Sequence, residues 1–189
     1  MADALAAGTG GELQCSLLAS EGLIDLQCLG NAVAAIEALL QFELPVIANR
    51  SVHGPAVSAH WLAPSHWLLR VPEAEEQKLS TELRRALRDA TAATESAAVD
   101  SLSAAVTSVS DAFVGIRLQG SGAADLLSQG CPLDLALLVP GCCARTLLAR
   151  AQVLLIPMTQ LAGYHLFVER SYADYLQEWI AAAAGDVVG

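Results

Sequence analysis

A unit of strand, glycine, short helix and proline occurs twice in this chain, and such a repeat restricts the fold more than any single motif. The sharper copy reads VSDAFVGIRLQGSGAADLLSQGCPLDL from Val109 to Leu135. Val114, Ile116 and Leu118 alternate with Phe113, Arg117 and Gln119, the two-residue period of a half-buried strand. Gly120 ends the strand. Ser121 is placed to cap a short helix with the apolar stripe Ala123, Leu126 and Leu127, which Gly130 and Pro132 close.

The earlier copy starts with LIDLQCLG, Leu23 to Gly30, where Ile24, Leu26 and Cys28 alternate with Leu23, Asp25 and Gln27. Asn31 is the expected cap of the next helix, whose stripe is Val33, Ile36, Leu39 and Leu40 before Pro45. Two strands follow, His60 to Ala63 and His66 to Val71, around a turn at Pro64 and Ser65; Pro72 then opens a helix. Glu73, Glu75 and Glu76 stand at its start and Arg84, Arg85 and Arg88 at its end, complementing the macrodipole, with Leu79, Leu83, Ala86 and Leu87 facing the core. In the second half, Leu147 to Ile156 and Tyr164 to Val168 supply the strands on either side of Pro157 to Gly163. Ser171 and Asp174 resemble a capping box for a last helix ending near Gly185, with Tyr172, Tyr175, Leu176, Trp179, Ile180 and Ala183 as its stripe.

Each half reads as strand, helix, two or more strands, helix, and neither buries its sheet alone. The expectation is an internally duplicated α+β domain over 17–185, with halves at 17–90 and 104–185. An Ala, Ser and Thr-rich linker spans 91–103, residues 104–110 form a further strand, and 1–16 form a flexible arm.

Composition narrows the function. Hydrophobic residues make up 54% of the 189 and charged residues 16%, against about 25% charged in an ordinary soluble domain. Either partners cover part of the surface, or small alanines inflate the count. A net charge of −10 with only ten Lys and Arg argues against nucleic acid as a ligand. No apolar run approaches the ~20 residues that span a bilayer. MADALAAGTGG has neither the basic region nor the apolar run of a signal peptide, so a cytoplasmic location is expected.

Candidate chemistry is sparse. GTGG at Gly8 to Gly11 follows no strand, and GSG at Gly120 to Gly122 lacks the third glycine, the phosphate-loop lysine and the ribose-binding acid of nucleotide sites. Backbone amides after Gly120 can hold an anion, although a plain turn is the simpler reading. His53, His60, His66 and His165 show no metal-ligand spacing. His60 and His66 are expected on the outer face of a hairpin, with Trp61 and Trp67 packed inside. Ser110 with Asp111 has no local base, and Asp111 and Asp134 bracket the central unit without forming an acid/base pair in sequence.

Five cysteines, Cys15, Cys28, Cys131, Cys142 and Cys143, suit a reducing compartment. The vicinal pair Cys142 and Cys143 reads as small apolar packing rather than as a redox element, because a disulfide between neighbours closes a strained ring. Arg170 is expected to pair with Asp174 one turn on, with carboxylate or phosphate binding as its functional alternative. No catalytic, cofactor-binding or metal-ligating residue is assigned, which points to a subunit.

Several stretches resemble the gamma subunit family of heterotetrameric sarcosine oxidase: LQCLG at Leu26, LP at Leu44, WLAPSHWLL at Trp61, VSDAFVGIRLQG at Val109, GCPLDL at Gly130, PGCCARTLLA at Pro140 and RSYADYLQEW at Arg170. Together they cover nearly everything from Leu23 to Ala184. One departure is local: the family commonly has WLGPDEWLL where this chain has Ala63, Ser65 and His66. The resemblance implies a fold similar to the folate-binding domain of glycine-cleavage aminomethyltransferases. It also implies an accessory, noncatalytic role beside a large alpha subunit with NAD and a tetrahydrofolate site, a flavin-carrying beta subunit and a zinc-carrying delta subunit. FAD, FMN, NAD, tetrahydrofolate and zinc then belong to those partners, and the complex oxidises sarcosine or a related N-methyl amine. The alternative is a free-standing folate-binding or folate-dependent one-carbon enzyme of the same fold.

Overall fold

The computed structural model describes residues 5–6, 13–92, 104–159 and 162–187. Two short antiparallel strands come first, β1 (Leu5–Ala6) and β2 (Gln14–Leu17). The first repeat follows as β3 (Glu21–Gln27), α1 (Asn31–Leu40), β4 (Ser51–His53), β5 (Ser58–Ala63), β6 (His66–Pro72) and α2 (Glu73–Ala92). After β7 (Ala105–Ser108), the second repeat is β8 (Phe113–Gln119), α3 (Ala123–Ser128), β9 (Ala144–Leu148), β10 (Ala151–Pro157), β11 (Gly163–Glu169) and α4 (Ala173–Val187). Both repeats are strand, helix, three strands, helix, as the α+β duplication requires.

The chain divides into two compact units, Ser20–Ser110, and Met1–Ala19 with Asp111–Gly189. In the Ser20–Ser110 unit the sheet order is β4-β5-β6-β3-β7, antiparallel throughout. Ile36 and Leu40 of α1 and Leu83 and Leu87 of α2 pack with Ile24, Leu26, Trp67 and Leu69 of the sheet into one core. The other unit has the order β1-β2-β8-β11-β10-β9, also antiparallel. Leu126 and Leu127 of α3 and Leu176 and Ile180 of α4 close over Ile116, Leu118, Val153, Leu155 and Leu166.

The shared order β4-β5-β6-β3 and β9-β10-β11-β8 makes the repeat visible in the sheets. Each first strand then gains its neighbour from the segment leading into the other repeat: β7 pairs with β3, and β2 pairs with β8. The strand expected over 104–110 forms, but in the sheet of the first repeat. Gln14–Leu17 likewise forms a strand where a flexible arm over 1–16 was expected, because the exposed edge of β8 supplies it with backbone partners. The linker expected over 91–103 overlaps α2 at residues 91–92, and 93–103 lie outside the described residues.

Several local expectations change. Glycines, not Asn31 and Ser121, occupy the N-caps: Gly30 (φ 59) before α1 and Gly122 before α3, neither with a side-chain cap. A positive φ at Gly30 suits a residue without a Cβ. Leu147 to Ile156 is not one strand but a hairpin of β9 and β10, since Ala149 and Arg150 both take positive φ. Because α2 runs to Ala92, Arg84, Arg85 and Arg88 lie before its last turn. Ser171 falls within a 3₁₀ turn (Arg170–Tyr172) continuous with α4, not at a boundary. Tyr172 and Tyr175 are exposed; Ala173, Leu176, Ile180 and Ala183 carry the buried stripe.

Candidate functional site

The Gly120 turn stands at an open cleft in the second unit. Gly120 takes φ 122 as β8 ends, and its amide donates to the carbonyl of Ala162 at 2.8 Å. Beside it lies a cavity of about 420 Å³ lined by Gly120, Ser121, Leu138, Pro157, Thr159 and Tyr164 among others, none of them charged. α3 has only six residues, too short a dipole for a strong anion site. Burial, and then the neighbouring Cys131, raises the Tyr164 phenol above its usual range, so it stays protonated at neutral pH. The cleft has no charged lining residue and offers both hydroxyl and apolar surface.

Polar side chains gather on the helix-free face of the sheet in the Ser20–Ser110 unit. Leu23 opposite Arg70 places Glu21 diagonal to the guanidinium, which holds its carboxylate through two hydrogen bonds of 2.8 Å. Gln27 opposite His66 likewise brings Asp25 to the imidazole, at 2.6 Å from Nε2. His60 lies on the His66 face, opposite the tryptophans, as expected, but it is fully buried, and its ring lies between two hydroxyls: Ser51 Oγ at 2.8 Å from Nδ1 and Ser58 Oγ at 3.0 Å from Nε2. Its cross-strand partners, Ser51 on β4 and Leu68 on β6, fix the face on which the ring stands. Trp67 is buried as expected, while Trp61 is half-buried. His53 stands edge-on to His60 with ring centres 5.8 Å apart; burial, then Arg70, lowers its pKa.

Glu21, Asp25, His60, His66 and Arg70 all find partners within the fold. A serine–histidine contact resembles the start of a nucleophilic pair, but His60 and Ser51 are both buried. Arg170 does not turn to Asp174. Its Nε donates to the carbonyl of Asp111 at 2.7 Å and a terminal nitrogen donates to that of Phe113 at 3.3 Å, tying the start of α4 to the start of β8. Asp134 accepts the amide of Ala136 and caps a 3₁₀ turn (Leu135–Leu137). None of the five cysteines forms a disulfide; Cys143 is buried and Cys142 half-buried. Among the described residues, no three His, Cys, Asp or Glu side chains are placed to hold a metal ion, and no helix is long and apolar enough to cross a membrane. GTGG at Gly8 to Gly11 lies outside the described residues.

Sequence reasoning missed the paired face, although Glu21 and Asp25 on β3 and His66 and Arg70 on β6 share strand parity. The missing information was the register that brings the two strands together.

The sequence pattern of the sarcosine oxidase gamma subunit family matches residues 28–186. The chain belongs to that family. Its gamma-subunit fold is similar to a chain of the heterotetrameric sarcosine oxidase from Corynebacterium sp. U-96, solved in complex with pyrrole 2-carboxylate. Identity is 21% and the TM-score 0.81, covering 97% of this chain and 88% of that one. The glycine cleavage system aminomethyltransferase T from Bartonella henselae is similar in fold at 16% identity and a TM-score of 0.63, over 87% of this chain and 44% of that one. The expected likeness to an aminomethyltransferase fold is thus borne out. No curated protein sequence matches the chain.

Proposed function

We propose that this gamma-family chain is an accessory, noncatalytic subunit of a heterotetrameric, flavin-dependent sarcosine oxidase-type complex. The family match over residues 28–186 carries the reading. The complex oxidises sarcosine or a related N-methyl amine in the cytoplasm and passes the one-carbon unit to tetrahydrofolate. FAD, FMN, NAD, tetrahydrofolate and zinc are held by the alpha, beta and delta partners.

Two physical features support that division of labour. The polar groups that invite a catalytic reading are engaged within the fold, Arg70 by Glu21, His66 by Asp25, His60 by two serines and Arg170 by two backbone carbonyls. The uncharged cleft offers tetrahydrofolate no cationic partner. Within the complex the chain contributes two sheets, each with its own core, and exposed apolar residues available to neighbours.

The test is co-expression of the tagged chain with the flavoprotein and its neighbouring subunits. The expected result is one stable assembly with amine oxidase activity, while the chain alone neither oxidises N-methyl amines nor binds tetrahydrofolate. A monodisperse chain that binds tetrahydrofolate and associates with no flavoprotein would overturn the reading in favour of a free-standing folate protein.

A further inference from the structure

Strand β9 ends its sheet, and such an edge presents a row of backbone donors and acceptors to whatever lies beyond it. The register fixes which groups those are. Leu148 faces Ala151 across a two-residue turn, Ala149 and Arg150, both at positive φ, so that closing pair exchanges both of its hydrogen bonds. Alternation then turns the N–H and C=O of Leu148, Thr146 and Ala144 toward β10, and those of Arg145 and Leu147 outward. Among the described residues, these outward groups meet one donor, the Thr146 hydroxyl at 3.5 Å from the Leu147 carbonyl, which is a long contact.

The other sheet edges are managed differently. β1 has two residues and β4 three. On β7 the Val106 carbonyl is gripped by Arg84, at 3.3 Å from Nε and 3.2 Å from a terminal nitrogen. β9 has five residues and no such guard, and the Leu147 side chain beside its open groups is 52% exposed. Two N–H and two C=O groups at strand spacing are matched by another extended backbone, whereas a helix has its own groups bonded internally.

Side chains then choose between strands. Thr146 and Leu148 point to the helix-covered face, so Arg145 and Leu147 share the face away from α3 and α4. Among the described residues Arg145 makes no ion pair; a terminal nitrogen donates to Gln152 Oε1 at 3.3 Å. β9 itself contains no acidic residue. Pairing with the β9 of a second copy therefore leaves Arg145 without a counter-charge, and with Arg145 facing Leu147 it sets the two guanidinium groups diagonal to each other. A strand with an acid opposite Arg145 and an apolar residue opposite Leu147, two positions apart, satisfies backbone and side chains together. We propose that the outer edge of β9 is completed by such an extended segment of another subunit of the same flavoprotein complex. This rests on the subunit reading above.

The test uses the tagged full chain co-expressed with the other subunits. In the assembled complex, residue-resolved deuterium exchange is expected to find the Arg145 and Leu147 amides protected to within about threefold of those of Thr146 and Leu148; on a bare edge they exchange about tenfold faster or more. Arg145→Glu is expected to lower the flavin retained per tagged chain by about threefold or more. Leu147→Pro, which deletes an outward N–H at an edge that tolerates proline, should lower it by about tenfold. Arg88→Glu makes the same charge change at an exposed site on α2 in the other unit and should retain flavoprotein like wild type. Thermal unfolding within about 2 °C of wild type shows that the variants fold; if Leu147→Pro fails to fold, Arg145→Glu and the exchange pattern decide.

Fast exchange at Arg145 and Leu147 within the complex overturns the strand addition, as does a smaller loss in Arg145→Glu or an equal loss in Arg88→Glu. So does a wild-type chain that dimerises where Arg145→Glu is monomeric, since a second copy then holds the edge. Wild type that retains no flavoprotein at all overturns the subunit reading itself, and the strand addition with it.

Discussion

Arg70 grips Glu21 fork to fork: Nε donates to one carboxylate oxygen and a terminal nitrogen to the other, each at 2.8 Å. The Arg70 side chain is largely buried, and Glu21 is half-buried at the start of β3. A parallel pair of charge-assisted bonds depends on guanidinium geometry, which an ammonium cannot reproduce. Arg70→Lys should therefore destabilise the chain by about 1 kcal/mol, and Arg70→Met or Glu21→Gln by about 1–3 kcal/mol. Urea unfolding of Arg70→Met, Glu21→Gln and their double would measure the coupling; a neutral Arg70→Lys would mean that charge alone matters.

Gly163 and Gly185 make a contrasting pair. A Cβ at Gly163 would lie 2.5 Å from the Leu118 carbonyl oxygen and 2.8 Å from the Gln119 Cα, in the middle of sheet pairing that cannot easily give way. At Gly185, within α4, nothing lies within 4 Å. Gly163→Ala is expected to cost about 1–3 kcal/mol by overpacking, whereas Gly185→Ala should stabilise by about 0.5 kcal/mol through helix propensity. Thermal unfolding of both variants checks the opposite signs.

Periodicity reveals those features of the fold that depend only on neighbours in sequence. Ile24, Leu26, Ile116 and Leu118 are buried where the alternation placed them, and Ile36, Leu83 and Leu176 where the helical stripes did. Partner choice is not local, so the exchange of β2 and β7 between the repeats left no pattern to read. The Arg170 site failed for the same reason. An i,i+4 rule sees only Asp174, while the carbonyls of Asp111 and Phe113 come from a segment more than fifty residues away. Tyr175 fitted the apolar stripe by spacing, yet its hydroxyl reaches the Ala149 carbonyl at 2.6 Å from an exposed position.

Alkali should weaken the fold through Cys28. Burial, and secondarily the Glu37 carboxylate, push its thiol from 9.0 up to about 11. Between those values the unfolded chain has released a proton that the folded chain still holds, so stability falls as pH rises through the window and is intact below it. Cys15 and Tyr164, both raised by burial, act with the same sign. Cys28→Ala should make the alkaline loss of stability shallower in urea unfolding at stepped pH. In the native chain at neutral pH, half-buried Cys142 should be alkylated well before Cys28.

The indole of Trp67 is the strut that can be removed without emptying the core. Its ring fills space among Ile24, Leu26, Ile36 and Leu44, and its N–H donates to the Pro45 carbonyl at 2.7 Å. Trp67→Phe keeps most of the apolar ring and deletes the donor, leaving a buried carbonyl unsatisfied at a cost of about 1–3 kcal/mol. The consequence should be local as well as global. With Pro45 released, the amides of Leu44, Val46 and Ile47 should exchange with deuterium faster than in wild type, while those in β10 and β11 of the other unit keep their protection relative to the global stability. Equal acceleration everywhere would show that Trp67 supports only the core, whereas acceleration confined to 44–47 would show that a single indole N–H fixes the loop that carries exposed Val46 and Ile47.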